Sequence, residues 1–281
     1  MGTRIWYQTM TDVDTYPTYR AALEAHARRV LGPESSVAVH GVAPGTYAGQ
    51  PPVTVLKYPY SYHVLLEQVI GNVLRAQAEG FDAVVLGSYS EPFLREARCA
   101  VEIPIASMAE ATLLVGCSVA ARAALISVTD DIAYMAERLV DKHHLRDRVA
   151  CVRRVDPPVN EQELLAMFAD PAEFVELFTA QARAVIAERA DVIIPAEGVL
   201  NELLVEGGLQ EVDGVCVMDC VGVSLLYAEM LVKLHRHTGL HPGRRWEYPL
   251  APPAVTALLA EHAARIPLSA AAARAGLVTN S

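Results

Sequence analysis

The chain has 281 residues, a formal net charge of −10, 52% hydrophobic and 20% charged residues, and five cysteines. That length and apolar content build one large or two medium domains. The acidic balance argues against nucleic acid as a partner, because neutralising phosphates takes clustered Lys and Arg. A small anionic ligand is still allowed, since a few Arg or backbone N–H groups are enough to hold one. No apolar run reaches the roughly 18 residues that cross a bilayer. The N-terminal MGTRIWYQTM lacks a signal peptide's apolar stretch and cleavage site, so a cytoplasmic protein is expected.

Apolar runs alternate with helical patterns along the whole chain. Ile5 to Gln8 reads as a strand, 17–31 as an amphipathic helix, Ser36 to Val42 as a strand, and 41–53 as a Gly/Pro-rich loop. A single helix is expected over 62–79, where Val64, Leu65, Val69, Val73 and Leu74 recur near helical spacing. Strands follow at Ala83 to Leu86 and Ile103 to Ala106, then helix 107–116, strand Ala124 to Val128, helix 131–144 and strand Arg148 to Val155. Helix 171–189 leads into strand Val192 to Ile194 and helix 198–206. The last elements are strand Val215 to Met218, helix 221–237 and an Ala-rich tail, 266–281. Such alternation predicts parallel sheets covered by helices on both faces, an α/β class.

One stretch echoes another. DAVVLGSYSEP and ADVIIPAEGVL place Val84, Val85 and Leu86 on Val192, Ile193 and Ile194, and Ser88 on Ala196. Each copy follows an amphipathic helix, which suggests a duplicated half with equivalent strand ends at 87–90 and 195–198. Ligands in open α/β sheets bind outside the carboxyl ends of the strands.

Ser88 and Ser90 follow the third strand. Either can cap a helix starting near Glu91 and Pro92, and Ser88 can instead bond a substrate. Serine needs a neighbouring base to act as a nucleophile, and no Gly-x-Ser-x-Gly elbow surrounds it. Glu197 has two readings: a desolvated acid–base group at a strand end, or a cap for helix 198–206. Tyr89 can donate to a developing enolate or simply pack. Ser127 and Thr129 end a strand before a helix, where hydroxyls and N–H groups can meet a carboxylate; Gln8, Thr9 and Thr11 end the first strand.

His235, His237 and His241 crowd a helix end without an accompanying carboxylate motif, so no metal is expected there. His143 and His144 close helix 131–144 in the same way. Cys99, Cys117, Cys151, Cys216 and Cys220 form no Cys-x-x-Cys pair and read as reduced, buried residues. No Gly-x-Gly-x-x-Gly or Gly-Lys-Ser/Thr loop suggests a nucleotide, and no cofactor is expected.

LGSYSEPFLREA…VEIPIASMAEAT (86–112), ALISVTD (124–130), VIIPAEGV (192–199) and GVCVMDCVGVSLLYAEMLVKL (214–234) resemble the aspartate/glutamate/hydantoin racemase superfamily over roughly positions 3 to 240. The resemblance implies two pseudo-symmetric, doubly wound parallel-sheet domains with an interdomain cleft. It also implies cofactor-free chemistry by a thiol pair, one cysteine per domain. The first thiol position falls on Ser88, and the second on Ala196, or on Glu197 if the alignment slips by one. Neither is cysteine, so the chain looks most like a hydantoin-racemase-like branch without the thiols.

The expected domains are 1–116 plus 222–281, and 117–221. Glu197, Ser88 and Tyr89 are the expected catalytic residues. Gln8, Thr9, Ser127, Thr129, Ala196 and Gly198 are the expected substrate-binding set, Thr129 by resemblance. The expected activity is racemisation or isomerisation next to a carboxylate or amide carbonyl of a small molecule such as an amino acid or hydantoin. Lyase, decarboxylase or ring-hydrolase chemistry is the alternative, as is a non-catalytic small-acid binding protein. A homo-oligomer is expected.

Overall fold

The computed structural model describes residues 2–265. The Ala-rich 266–281 stretch lies outside the described residues.

The first sheet contains β1 (Arg4–Gln8), β2 (Ser36–His40), β3 (Ala83–Leu86) and β4 (Ile105–Ser107), in the order β2-β1-β3-β4 and all parallel. The second contains β5 (Ala123–Ser127), β6 (Val149–Arg154), β7 (Val192–Pro195), β8 (Glu211–Val212) and β9 (Val215–Val217), in the order β6-β5-β7-β9-β8. Its first four strands by position are parallel, and β8 adds an antiparallel edge. Counted by appearance over the parallel strands alone, both sheets run second, first, third, fourth. The echoed segments are thus the third strand of each sheet, β3 and β7.

The same local bond repeats at both. Gly87 N–H donates to the Gln8 carbonyl at 2.8 Å, and Ala196 N–H donates to the Ile126 carbonyl at 2.8 Å. This strand order reverses direction beside the first strand, which places the binding crevice at the carboxyl ends of the first and third strands.

Sequence accounts for most element boundaries. β3 and β7 are fully buried because helices cover both faces, which is why each reads as an unbroken apolar run. Helix α1 (Pro17–Leu31) starts on proline, whose fixed φ suits the first turn. Ser107 caps α6 (Met108–Val119), Thr129 caps α7 (Asp130–Lys142) and Asp219 caps α11 (Cys220–Thr238), each side chain accepting a backbone N–H. α11 returns to pack on α1, α6, β3 and β4.

Three expectations need correction. The single helix over 62–79 is two, α3 (Pro59–Leu66) and α4 (Gln68–Ala78), preceded by a short α2 (Pro52–Leu56) within and beyond the expected loop. The helix expected near Glu91 starts later, as α5 (Leu94–Ala100), after Glu91 and Phe93 each adopt φ 53°. Ser90 therefore caps no helix. The remaining helices are α8 (Glu161–Ala166), α9 (Ala172–Ala187), α10 (Gly198–Glu206) and α12 (Pro253–Arg265).

Candidate active site

A cavity of about 520 Å³ lies at the carboxyl ends of the strands and takes its lining from both sheets. The first sheet supplies Thr9 to Thr11 after β1 and Gly87 to Glu91 after β3. The second supplies one face of α7, Glu161 after β6, and Ala196 to Gly198 after β7. The two third-strand ends nearly touch: a Cβ on Gly198 would stand 3.0 Å from the Gly87 carbonyl oxygen. A Cβ on Gly87 would fall 2.2 Å from the Tyr7 ring. Glycine at 198 is what lets the halves approach this closely, while glycine at 87 makes room for Tyr7 within the first half.

Glu197 is both a cap and a cavity residue. Its Oε2 accepts the Leu200 N–H at 2.6 Å at the N-terminus of α10. Burial pushes its carboxyl up, while the N–H groups of Leu200, Val199 and Gly198 favour the charged form. Among the described residues no cation is bonded to it.

Glu161 is a site residue that the sequence reading missed. It opens α8 directly after the Asn160 cap, and its Oε1 accepts the Thr11 hydroxyl at 2.7 Å. Burial, and next the charge of Glu197, push its carboxyl up to about 8, against the opposing Thr11 bond. The signal was its place a few residues past a strand end, in DPPVNEQE, but the polar run there reads equally as a solvated helix start.

The wall built after β3 is rich in hydroxyls. Ser88 Oγ lies 2.9 Å from Ser90 Oγ and accepts the Ser90 N–H at 3.3 Å. Tyr62 donates to the Ser90 carbonyl at 3.3 Å. Tyr89 lines the cavity, but its hydroxyl lies 3.3 Å from Thr112 Oγ1 in α6 and burial raises its pKa further. Packing, the plainer of its two readings, accounts for that geometry.

Glu91 is held quite differently. Its fully buried carboxylate accepts Ser107 Oγ at 2.5 Å and Lys142 Nζ at 2.6 Å, and contacts His143 Nε2 at 3.0 Å. Burial alone would raise its pKa, but the His143, Lys142 and Ser107 bonds prevail and hold it at about 2. Across the rest of the cavity, Met10, Val53, Leu56, Phe93, Ile132 and Met135 form an apolar wall, with Lys57 and Arg138 among the remaining lining residues.

Comparison with known proteins matches the description "Asp/Glu/Hydantoin racemase" to residues 18–224. The chain belongs to the Asp/Glu/hydantoin racemase family. A hydantoin racemase of Pseudomonas sp. (strain NS671) is 28% identical over 188 residues, 66% of this chain and 72% of that protein. One from Rhizobium meliloti is 26% identical over 165 residues, covering 58% and 66%. Among solved structures, allantoin racemase from Klebsiella pneumoniae aligns with a TM-score of 0.69 at 20% identity, over 89% of this chain and 94% of that one. Allantoin racemase from Pseudomonas fluorescens gives 0.69 at 21% identity, over 89% and 97%. These structures share the fold.

Of the residues singled out in this family member's sequence, Ser88, Tyr89, Thr9, Ala196, Glu197 and Gly198 line the one cavity. Gln8, Ser127 and Thr129 are not among its lining residues. The Gln8 amide is fully used: it accepts from Trp6 Nε1 at 3.1 Å and Asn72 at 3.0 Å, and donates to the Thr9 and Gly41 carbonyls at 3.0 Å each. Ser127 Oγ donates to the Thr129 carbonyl at 3.2 Å. Thr129 Oγ1 accepts the Ile132 N–H at 3.3 Å, so the α7 N-terminus is already capped, and Asp130 and Asp131 in its first turn disfavour an anion.

None of the five cysteines lines the cavity. Cys220 is buried, its Sγ donating to the Pro195 carbonyl at 3.3 Å. Among the described residues, no group of three or more His, Cys, Asp or Glu is placed to hold a metal, and no helix is long and apolar enough to cross a membrane.

Proposed function

We propose that this chain is a cofactor-independent enzyme that removes and returns a proton at a carbon next to a carboxylate or amide carbonyl of a small molecule. Its reaction is of the racemase or epimerase type, run without a thiol pair. The observation that carries the reading is Glu197: a carboxyl lining the cavity, at a strand end, with a raised pKa and, among the described residues, no cation bonded to it. A carboxylate whose pKa is raised above the ordinary range is a stronger base, which is what abstraction of a weakly acidic C–H needs. Ser88 and Thr9 supply hydroxyls for the substrate's polar atoms, and Ala196 and Gly198 let the substrate come close to the backbone. The names of the curated relatives, hydantoin racemases, point to hydantoins and related cyclic amides as the first compounds to try. The matching third strands and the return of α11 to the first sheet support a division into 1–116 plus 222–281, and 117–221, with the cavity between the two units.

Incubation of hydantoins, amino acids and hydroxy acids in D2O tests the reading. Label at the α-carbon, lost in Glu197→Gln, supports it. CO2 release or ring opening would move the protein to a decarboxylase or hydrolase. A rise in melting temperature without any chemical change would make it a binding protein.

A further inference from the structure

Resting on the reading above, we propose that Glu161 is a second catalytic group: with Glu197 it forms a one-proton carboxyl pair on the second-sheet wall, so that the α-proton returns faster to the face it left than to the opposite face. The two residues follow β6 and β7, which flank β5 in one sheet, and both line the same cavity. The proton resides on Glu161. Glu197 meets backbone N–H groups at a helix start, which favour its ionised form, whereas Glu161 receives, among the described residues, the Thr11 hydroxyl alone. Two carboxyls within electrostatic reach of each other, in a desolvated space, do not both ionise.

Among the described residues, the first-sheet wall has no matching acid free to act. Glu91 is bonded to Ser107, Lys142 and His143, Tyr89 to Thr112, and Tyr62 to Ser90. Lys57, 39% exposed, faces Asp131 at 3.6 Å. Ser88, Ser90 and Thr9 offer hydroxyls that bind but do not hold a proton near neutrality.

The step balances within the pair. Glu197 carboxylate takes the α-proton, so the C–H bond breaks and an O–H bond forms. The C–H electron pair moves into the neighbouring carbonyl, whose oxygen receives the proton of Glu161. Reversal restores both carboxyl states and delivers hydrogen to the same face, whereas inversion requires the enol to turn in the cavity before the proton returns. Exchange with solvent then outruns inversion.

The test follows the compound that exchanges, in D2O, by mass and by chiral chromatography, for wild type, Glu161→Gln and Glu197→Gln. The expected result is label incorporation at least about ten times faster than inversion. Glu161→Gln keeps an amide beside Thr11 and is expected to lose about 100-fold in kcat with KM and melting temperature little changed, and to lose any alkaline limb in the pH–rate profile. Inversion as fast as exchange, or Glu161→Gln within about threefold of wild type, overturns the pair while leaving Glu197 as base. Absence of label in every compound overturns both readings.

Discussion

Glu91 and Glu197 each stand a few residues past the third strand of their sheet, yet the fold treats them in opposite ways. Glu91 is clamped by Lys142, His143 and Ser107 and stays ionised down to about pH 2. Glu197, in the same cavity as Glu161, has backbone N–H groups and, among the described residues, no bonded cation, and its pKa rises. All three are withdrawn from bulk water, Glu91 as a buried residue and the other two as half-buried residues of the cavity. The partner decides whether a buried carboxylate becomes a structural tie or a proton carrier. Glu91 connects the loop after β3 to the end of α7, whereas Glu197 and Glu161 are left facing open space.

The largest effect that would break this contrast is on turnover. Glu197→Gln is expected to lower kcat by about 10²–10⁴-fold while the protein remains folded, measured as α-carbon exchange beside a circular dichroism melt. Glu91→Ala should do the reverse. It leaves Lys142 and His143 without their buried partner, so chemical denaturation should show a loss of about 3–5 kcal/mol.

The pH dependence of stability sharpens the comparison because the signs differ. Glu91 has a folded pKa below its ordinary 4.5, so its contribution is present above pH 4.5 and is lost as pH falls toward about 2. Glu161 has a folded pKa raised from 4.5 to about 8. The folded state then binds the extra proton between those values, and stability declines as pH rises through that window. Glu161→Gln should flatten the decline in denaturation midpoints taken from pH 5 to 8. The smallest expected effect is at the junction of the halves. Gly198→Ala brings a methyl within 3.0 Å of the Gly87 carbonyl and should cost about 1–3 kcal/mol, read as a lower melting temperature.

Much of this layout was legible in the sequence. The apolar runs at Ala83–Leu86 and Val192–Pro195 announce doubly covered strands, and their echo locates the two strand ends that meet at Gly87 and Gly198. The break between α3 and α4 was not legible, because apolar spacing persists across Glu67 while the chain changes helix there. β8 is two residues long and leaves no periodicity to detect.

Site residues divide in the same way. Those set by a strand end, such as Ser88 and Glu197, could be named from local sequence. Glu161 could not, since its defining neighbour, Thr11, is 150 residues away. Gln8, Ser127 and Thr129 were credible by position, but each spends its side chain on nearby backbone or on Trp6 and Asn72, a choice visible only in three dimensions.

Carboxyl 13C NMR of Glu-labelled protein, titrated from pH 3 to 10, tests the contrast between the two environments most directly. The expected spectrum contains a glutamate titrating near pH 8 that disappears in Glu161→Gln, and another, lost in Glu91→Gln, that is still ionised at the acid end. A protein whose glutamates all titrate between about pH 4 and 5, as unperturbed carboxyls do, would contradict it.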